Sequence, residues 1–246
     1  MFSFFSSKNF LVDYLGGFVD IHNHILPGID DGAKNVEESM ELLNAFSEFG
    51  VHNFISTPHI MGNYYPNTRE TINASLDLLK RTMLSNDSTN ISIEAAAEHM
   101  IDDKFETLLE NDEVMVLRND HILVEMSYLQ PAINFDEAII ALATKHYRPI
   151  LAHPERYNFL SLNSSKFTEY KKKGILFQLN LLSLSEYYGK EVQKKAVKLL
   201  NEGLIDFVAS DVHTIEQLNA VKKIQLSNKH LELLLPILEN TIYNFY

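Results

Sequence analysis

The 246-residue chain contains no cysteine. Disulfides, thiolate metal sites and a cysteine nucleophile are therefore excluded, and any hydrolysis carried out by this chain must use another nucleophile. Positive charge is also scarce: 21 Lys and Arg stand against 33 Asp and Glu, giving a formal net charge of -12. Such a balance argues against a nucleic-acid backbone or an anionic membrane surface as partner. No stretch approaches the roughly 18 uninterrupted apolar residues of a membrane span. Internal repeats, low-complexity segments and long linkers are absent as well. What is abundant is apolar side chain, 46% of the sequence, enough at this length for one sizeable core and a single α/β domain.

Residues 1–17 carry Phe2, Phe4, Phe5, Phe10 and Leu11, but Lys8 interrupts the run and neither a basic leader nor a small-residue cleavage pattern accompanies it. They are expected to form an N-terminal extension that packs on the domain or at a subunit contact, without inserting in a membrane. The domain itself is expected over residues 18–246, in the cytoplasm.

The stretch from Phe18 to Gly32 starts as a short apolar strand and ends in a Pro/Gly/Asp turn. His22 and His24 are two residues apart, so on an extended segment both imidazoles project from one face. Asn35 followed by Glu38 resembles a capping box, and the apolar spacing from Val36 to Phe49 predicts a helix stopped at Gly50. Further strands are predicted at Val51–Thr57, Ile91–Ala97, Ile122–Met126, Pro149–Ala152, Ile175–Leu179 and Ile205–Ala209, alternating with helices that include 68–84, 136–147 and 190–202. This alternation predicts right-handed βαβ units and a mostly parallel sheet, closed or nearly closed as a barrel.

In that frame His22, His24, His59, Glu98, Glu125, His153, Asp211 and His213 all fall on or just after strand ends, and Asp31 lies in the first loop. Those ends converge on one face of a parallel barrel. Imidazole nitrogens and carboxylate oxygens without sulfur suit manganese, iron or zinc. Nine donors exceed the needs of one ion, so two or three divalent ions with a bridging carboxylate are expected. Glu125, alone among apolar neighbours, needs a partner that a metal would provide. His52, His99, His121, His146 and His230 fit no ligand position and read as structural or solvated.

Taken together, His22-x-His24, Thr57-Pro58-His59, Ala97-Glu98, Val124-Glu125, His153-Pro154-Glu155-Arg156 and Ser210-Asp211-Val212-His213 resemble the ordered motifs of the polymerase and histidinol phosphatase (PHP) domain family. Within it, the Asp31-Gly32 loop and Ala152–Tyr157 resemble the bacterial manganese-dependent tyrosine phosphatases of capsule and exopolysaccharide operons. The resemblance implies a distorted (β/α)7 barrel. It also implies a first ion on His22, His24, Glu98 and Asp211, a second on Glu98, Glu125 and His153, and a third on Asp31, His59 and His213, most simply Mn2+ with Fe or Zn as alternatives. One departure stands out: the arginine that the family's phosphatases carry shortly after the last Asp-x-His is missing from Thr214–Val221.

The implied activity is hydrolysis of phosphotyrosine on a protein by metal-activated water, with a bacterial tyrosine kinase of polysaccharide export as the partner. Arg156 could grip the phosphate in a bidentate manner or pair with neighbouring Glu155. His59 or His213, if not fully engaged by metal, or a metal-bound water could protonate the leaving oxygen, while Tyr64, Tyr65 and Tyr128 could stack on an aromatic substrate or pack on the rim. Three other activities compete: a small-molecule phosphatase of the histidinol phosphate type, a PHP-type nuclease, and a metal-binding regulatory module without catalysis. The oligomeric state is open.

Overall fold

The computed structural model describes residues 9–86 and 90–246, so Phe2, Phe4, Phe5 and Lys8 of the extension lie outside the described residues. Strand β1 (Asn9–Phe10) leads through a 3-10 turn to β2 (Val19–Asp20) and helix α1 (Val36–Ser47). Strands β3 (Asn53–Ser56) and β4 (His59–Ile60) precede α2 (Arg69–Ser85), and β5 (Ser92–Ala95) and β6 (Glu98–Met100) precede α3 (Phe105–Glu110). Then follow β7 (His121–Glu125), α4 (Phe135–Thr144), β8 (Arg148–Ala152), α5 (Lys166–Lys172), β9 (Leu176–Asn180) and α6 (Lys190–Asn201). The chain finishes with β10 (Phe207–Ala209), α7 (Ile215–Val221), β11 (Gln225–Leu226) and α8 (Asn228–Phe245).

Local chemistry explains the boundaries. The Asn35 side chain accepts the Glu38 N–H at 2.9 Å and starts α1; the Glu38 carboxylate turns back to the Lys34 N–H at 3.0 Å, one residue earlier than a capping box requires. Thr68 and Thr71 form a reciprocal box at the start of α2. Gly50 follows α1 at a φ of 82°, a left-handed conformation that glycine adopts without steric penalty.

All seven expected strand segments are extended, but they are not one continuous ring. Parallel strands β2, β3 and β5 form one sheet, and the parallel order β10-β9-β8-β7-β6-β4 forms another. The chain passes from the first sheet to the second at Thr57-Pro58 and again at Ala96-Ala97, so each of these two expected strands is followed at once by a short further strand, β4 or β6, in the other sheet. Pro58 has no N–H to donate to a ladder, and Thr57 N bonds across to Asn23 O at 3.0 Å. At the opposite seam, β2 meets β10 through a single Asn23–Val212 bridge and the bonds Asp211 N to His22 O (2.7 Å) and His24 N to Val212 O (3.0 Å). A closed ladder of the expected barrel is therefore not formed among the described residues.

Helices cover the outside, and β1 pairs antiparallel with β11. Leu11 and Leu15 are fully buried in the main core with Phe18, so the described part of the extension is packed on the domain. Each such leucine contributes about 2 kcal/mol from burial. Among the described residues no helix is long and apolar enough to cross a membrane.

Candidate active site

The carboxyl ends of the parallel strands deliver their polar side chains to one cleft of about 630 Å³, lined by Asp31, His59, Glu98, Glu125, Asp211 and His213 together with Tyr64, Tyr65, Tyr128, Arg156 and Tyr188. His22 and His24 follow β2 and are fully buried beneath it. Their Nε2 atoms lie 3.4 Å apart, and both face Asp211 Oδ1, at 3.4 and 3.5 Å, and Glu98 Oε2, at 3.2 and 3.6 Å. Nδ1 of His22 donates to Gln178 Oε1 at 2.9 Å, and Nδ1 of His24 to Asp30 Oδ2 at 2.8 Å. Both Nε2 lone pairs are thereby left facing the carboxylates, the arrangement that ligating histidines adopt.

His59 and Glu98, opposite one another on β4 and β6, extend the cluster. Nδ1 of His59 is 3.0 Å from Glu98 Oε2 and 2.9 Å from Glu125 Oε1, and its Nε2 is 3.4 Å from Asp31 Oδ1. His153 reaches Glu98 Oε1 with Nε2 at 3.1 Å. The His213 ring stacks on His24, with centroids 3.8 Å apart, and its Nε2 is 3.6 Å from Asp31 Oδ1. All nine residues singled out from the sequence thus lie in one connected set.

Four overlapping groups have donor atoms close enough together for an ion: His24, Asp31, His59 and His213; His22, His24 and Asp211; His22, Glu98 and His153; and His59, Glu98 and Glu125. These cut across the three expected ligand sets, because His24 also joins the outer group and His59 also faces Glu98 and Glu125.

The donor set fits divalent cations on two independent grounds. Buried His153 Nδ1 has no hydrogen-bond partner, and although His59 Nδ1 lies 3.0 Å from Glu98 Oε2 and 2.9 Å from Glu125 Oε1, none of these three atoms makes an aligned hydrogen bond, a cost of about 1–3 kcal/mol each if nothing binds them. Charge points the same way. Burial and then the neighbouring Glu98 charge push the Glu125 carboxyl up, whereas burial of Glu98 is outweighed by His22 and His59, which hold it well below its ordinary value. Buried carboxylates packed this closely call for positive charge between them.

Two of the nine residues hold left-handed backbone: His153 at φ 35° and Asp211 at φ 52°. For a residue with a Cβ this costs on the order of 1–2 kcal/mol. Surrounding bonds over-determine both. Asp20, fully buried, accepts Ser210 N at 2.9 Å and Ser210 Oγ at 2.5 Å, fixing the backbone just before Asp211. His153 N donates to Gln178 O at 2.9 Å.

Arg156 pairs with Asp211 Oδ2 at 2.6 Å, not with Glu155, whose buried carboxylate accepts Asn180 N at 3.1 Å. Its guanidinium lies between two aromatic rings, 4.6 Å from the Tyr128 centroid and 4.2 Å from that of Tyr188. Asn180 Nδ2 donates to the same Asp211 oxygen at 2.7 Å. Asp211 thus turns one oxygen to the histidines and the other to Arg156 and Asn180.

Gln178, Asn180 and Tyr188 were not singled out from the sequence. A signal existed for the first two: polar residues two apart at the end of an otherwise apolar strand point to one face. Tyr188 gave none, since it sits in an irregular segment between a 3-10 turn and α6. Of the other histidines, His99 and His121 are buried structural residues.

Comparison with known proteins adds to this geometry. Residues 18–229 match the family described as capsular polysaccharide synthesis, CpsB/CapC. The chain is 30% identical to the tyrosine-protein phosphatase YwqE of Bacillus subtilis over 82% of its own length and 79% of the relative's. It is 29% identical to the tyrosine-protein phosphatase CpsB of Streptococcus pneumoniae, covering 80% and 84%. Crystal structures of YwqE and CpsB, described as unique metal-dependent tyrosine phosphatases, include a chain that superposes with a TM-score of 0.78 at 27% identity, covering 93% of this chain and 95% of that one.

Proposed function

The chain belongs to the capsular polysaccharide synthesis family CpsB/CapC, and from that membership we propose that it is a metal-dependent phosphotyrosine-protein phosphatase. The observation that carries the proposal is the convergence of His22, His24, His59, Glu98, Glu125 and Asp211 beside a guanidinium held at Asp211. We assign two or three divalent ions, Mn2+ first, to His22, His24, Asp31, His59, Glu98, Glu125, His153, Asp211 and His213. The opened pair of parallel sheets supports a distorted (β/α)7 barrel as the underlying architecture.

Bound divalent ions would supply activation of water and neutralisation of phosphoryl charge. The chain's own residues do the rest. Arg156 keeps free guanidinium N–H groups on the cleft side of its bond to Asp211, where they can hold phosphoryl oxygens, and the flanking Tyr128 and Tyr188 rings restrict its swing. On the outer edge with Asp31, a ring nitrogen of His59 or His213 that is not engaged by metal is the group placed to pass a proton to the leaving phenolate oxygen. Phenolate is a good leaving group and needs little help. The substrate we assign is a phosphotyrosine protein, the tyrosine kinase of polysaccharide export.

The test is phosphate release from a phosphotyrosine peptide, with histidinol phosphate in parallel, by protein stripped of metal and reloaded with manganese. Metal-dependent turnover of the peptide that disappears in the His22→Ala/His24→Ala double variant is expected. Turnover of histidinol phosphate alone would move the assignment to a small-molecule phosphatase.

A further inference from the structure

One wall of the cleft is the turn from Met61 to Tyr65. Met61 and Tyr65 exchange both backbone hydrogen bonds at 2.9 Å, and Tyr64 N donates to Met61 O at 3.1 Å. Side chains from the segment after β6 grip the turn from outside. Gly62 N donates to Asp102 Oδ2 at 2.9 Å, and Gly62 O accepts Lys104 Nζ at 3.0 Å. Asp102 is itself fixed, by Lys104 N on Oδ1 at 2.9 Å and by Asn134 Nδ2 on its carbonyl at 3.1 Å. The approach is so close that a Cβ on Gly62 would lie 2.6 Å from Lys104 Cδ. Asn67 ties down the far end of the turn, donating to Ile29 O at 2.8 Å and His59 O at 2.9 Å.

A surface turn with this many ties is rigid, yet it holds Tyr64 with 78% of its surface in water at the mouth of the cleft. Tyr65 is used differently, stacked on His59 with centroids 5.4 Å apart and planes within 12°. The thioethers of Met61 and Met100 line the cleft beside them. Thioethers and exposed aromatic faces favour aryl groups over alkyl ones.

We infer that this turn sets the specificity of the cleft: Tyr64, Met61 and Met100 form the wall on which the phenyl ring of phosphotyrosine lies, and Asp102 and Lys104 are positioning residues that hold the wall in place. The identity of the leaving group rests on the phosphatase assignment above; the preference for an aryl group does not.

Two non-hydrolysable probes separate these claims. Calorimetric titration of manganese-loaded protein with phenylphosphonate and with methylphosphonate measures aryl preference without turnover. Wild type is expected to bind phenylphosphonate about tenfold more tightly. In Tyr64→Ala and in Lys104→Met that ratio is expected to fall about three- to tenfold, with methylphosphonate affinity, manganese content and melting temperature little changed. A ratio preserved in both variants, no aryl preference in wild type, or equal weakening of both probes would overturn the inference, the last by showing that the turn acts only through Tyr65 and His59. Peptide turnover run alongside tests the other claim: silence with aryl preference intact sinks the phosphatase assignment alone, and turnover without aryl preference sinks the wall alone.

Discussion

His22 Nδ1 and Gln178 Oε1 lie 2.9 Å apart in a fully buried pair, and that bond decides which imidazole nitrogen faces the carboxylates. With Nδ1–H donating to the amide oxygen, the Nε2 lone pair is left for an ion. Replacing Gln178 with Leu removes the acceptor and frees the ring to rotate. Manganese affinity is expected to fall by about 10- to 100-fold, with much of the activity restored at saturating metal. Gln178→Glu, which keeps an acceptor, should retain most of the affinity. Competition with a metal-binding dye checks both, and unchanged affinity in the Leu variant would show that the tautomer is held by other means.

Arg156 presents a planar fork between Tyr128 and Tyr188, and lysine cannot reproduce it. Arg156→Lys is expected to lower kcat/KM on a phosphotyrosine peptide by on the order of 100-fold, as for loss of one oriented donor to an oxyanion. Inhibition by inorganic phosphate should weaken in parallel. Steady-state kinetics with phosphate as inhibitor reads both, while metal content serves as the control for Asp211, which loses a 2.6 Å partner.

Gly32 marks a place where backbone meets backbone. A Cβ there would stand 2.0 Å from His24 O and 2.8 Å from His24 C, and neither atom can move without displacing a candidate ligand. Gly32→Ala is expected to destabilise the fold by about 2–4 kcal/mol and to impair metal uptake. Gly16→Ala, with nothing within 4 Å of the new methyl, is the matched control and should leave stability within about 0.5 kcal/mol. Urea unfolding of the two variants measures the difference.

His99 carries a pH dependence of known sign. Burial holds its folded pKa down from 6.5 to about 4, and its bonds agree with a neutral ring, since Nδ1 donates to Leu123 O at 3.1 Å and Nε2 accepts Met115 N at 3.1 Å. A depressed folded value means that the unfolded chain binds the proton first. The stabilisation is therefore complete above pH 6.5 and is lost as pH falls towards 4, on the order of 3 kcal/mol in all. Urea midpoints should drop between about pH 7 and 5 in wild type, and the same slope should be flatter in His99→Gln, which has no proton to gain.

Strand and helix identity was largely legible because the apolar period changes cleanly along the chain, as from the helical spacing of Met40, Leu43 and Phe46 to the short run before Pro58. The candidate site was legible for a related reason: histidines and carboxylates at strand ends are costly unless they share a purpose, and parallel strands bring their ends together. What could not be read is pairing between strands. Nothing local in Ala96-Ala97 announces that β5 and β6 belong to different sheets, because the choice is made by neighbours far along the chain. Tyr188 was hidden likewise, its position under Arg156 depending on the path of an irregular segment.

The clasp between Asp20 and Ser210 joins residues 190 apart in sequence, and the two flank His22 and Asp211. Closing so long a loop is slow, and a chain emerging from the ribosome cannot close it until its last parallel strand has been made. His22 and His24 are therefore synthesised long before Asp211, one of the two carboxylates they face. During translation the histidines and Glu98 wait without Asp211, and the set assigned to metal is completed in one late step, when Asp211 arrives.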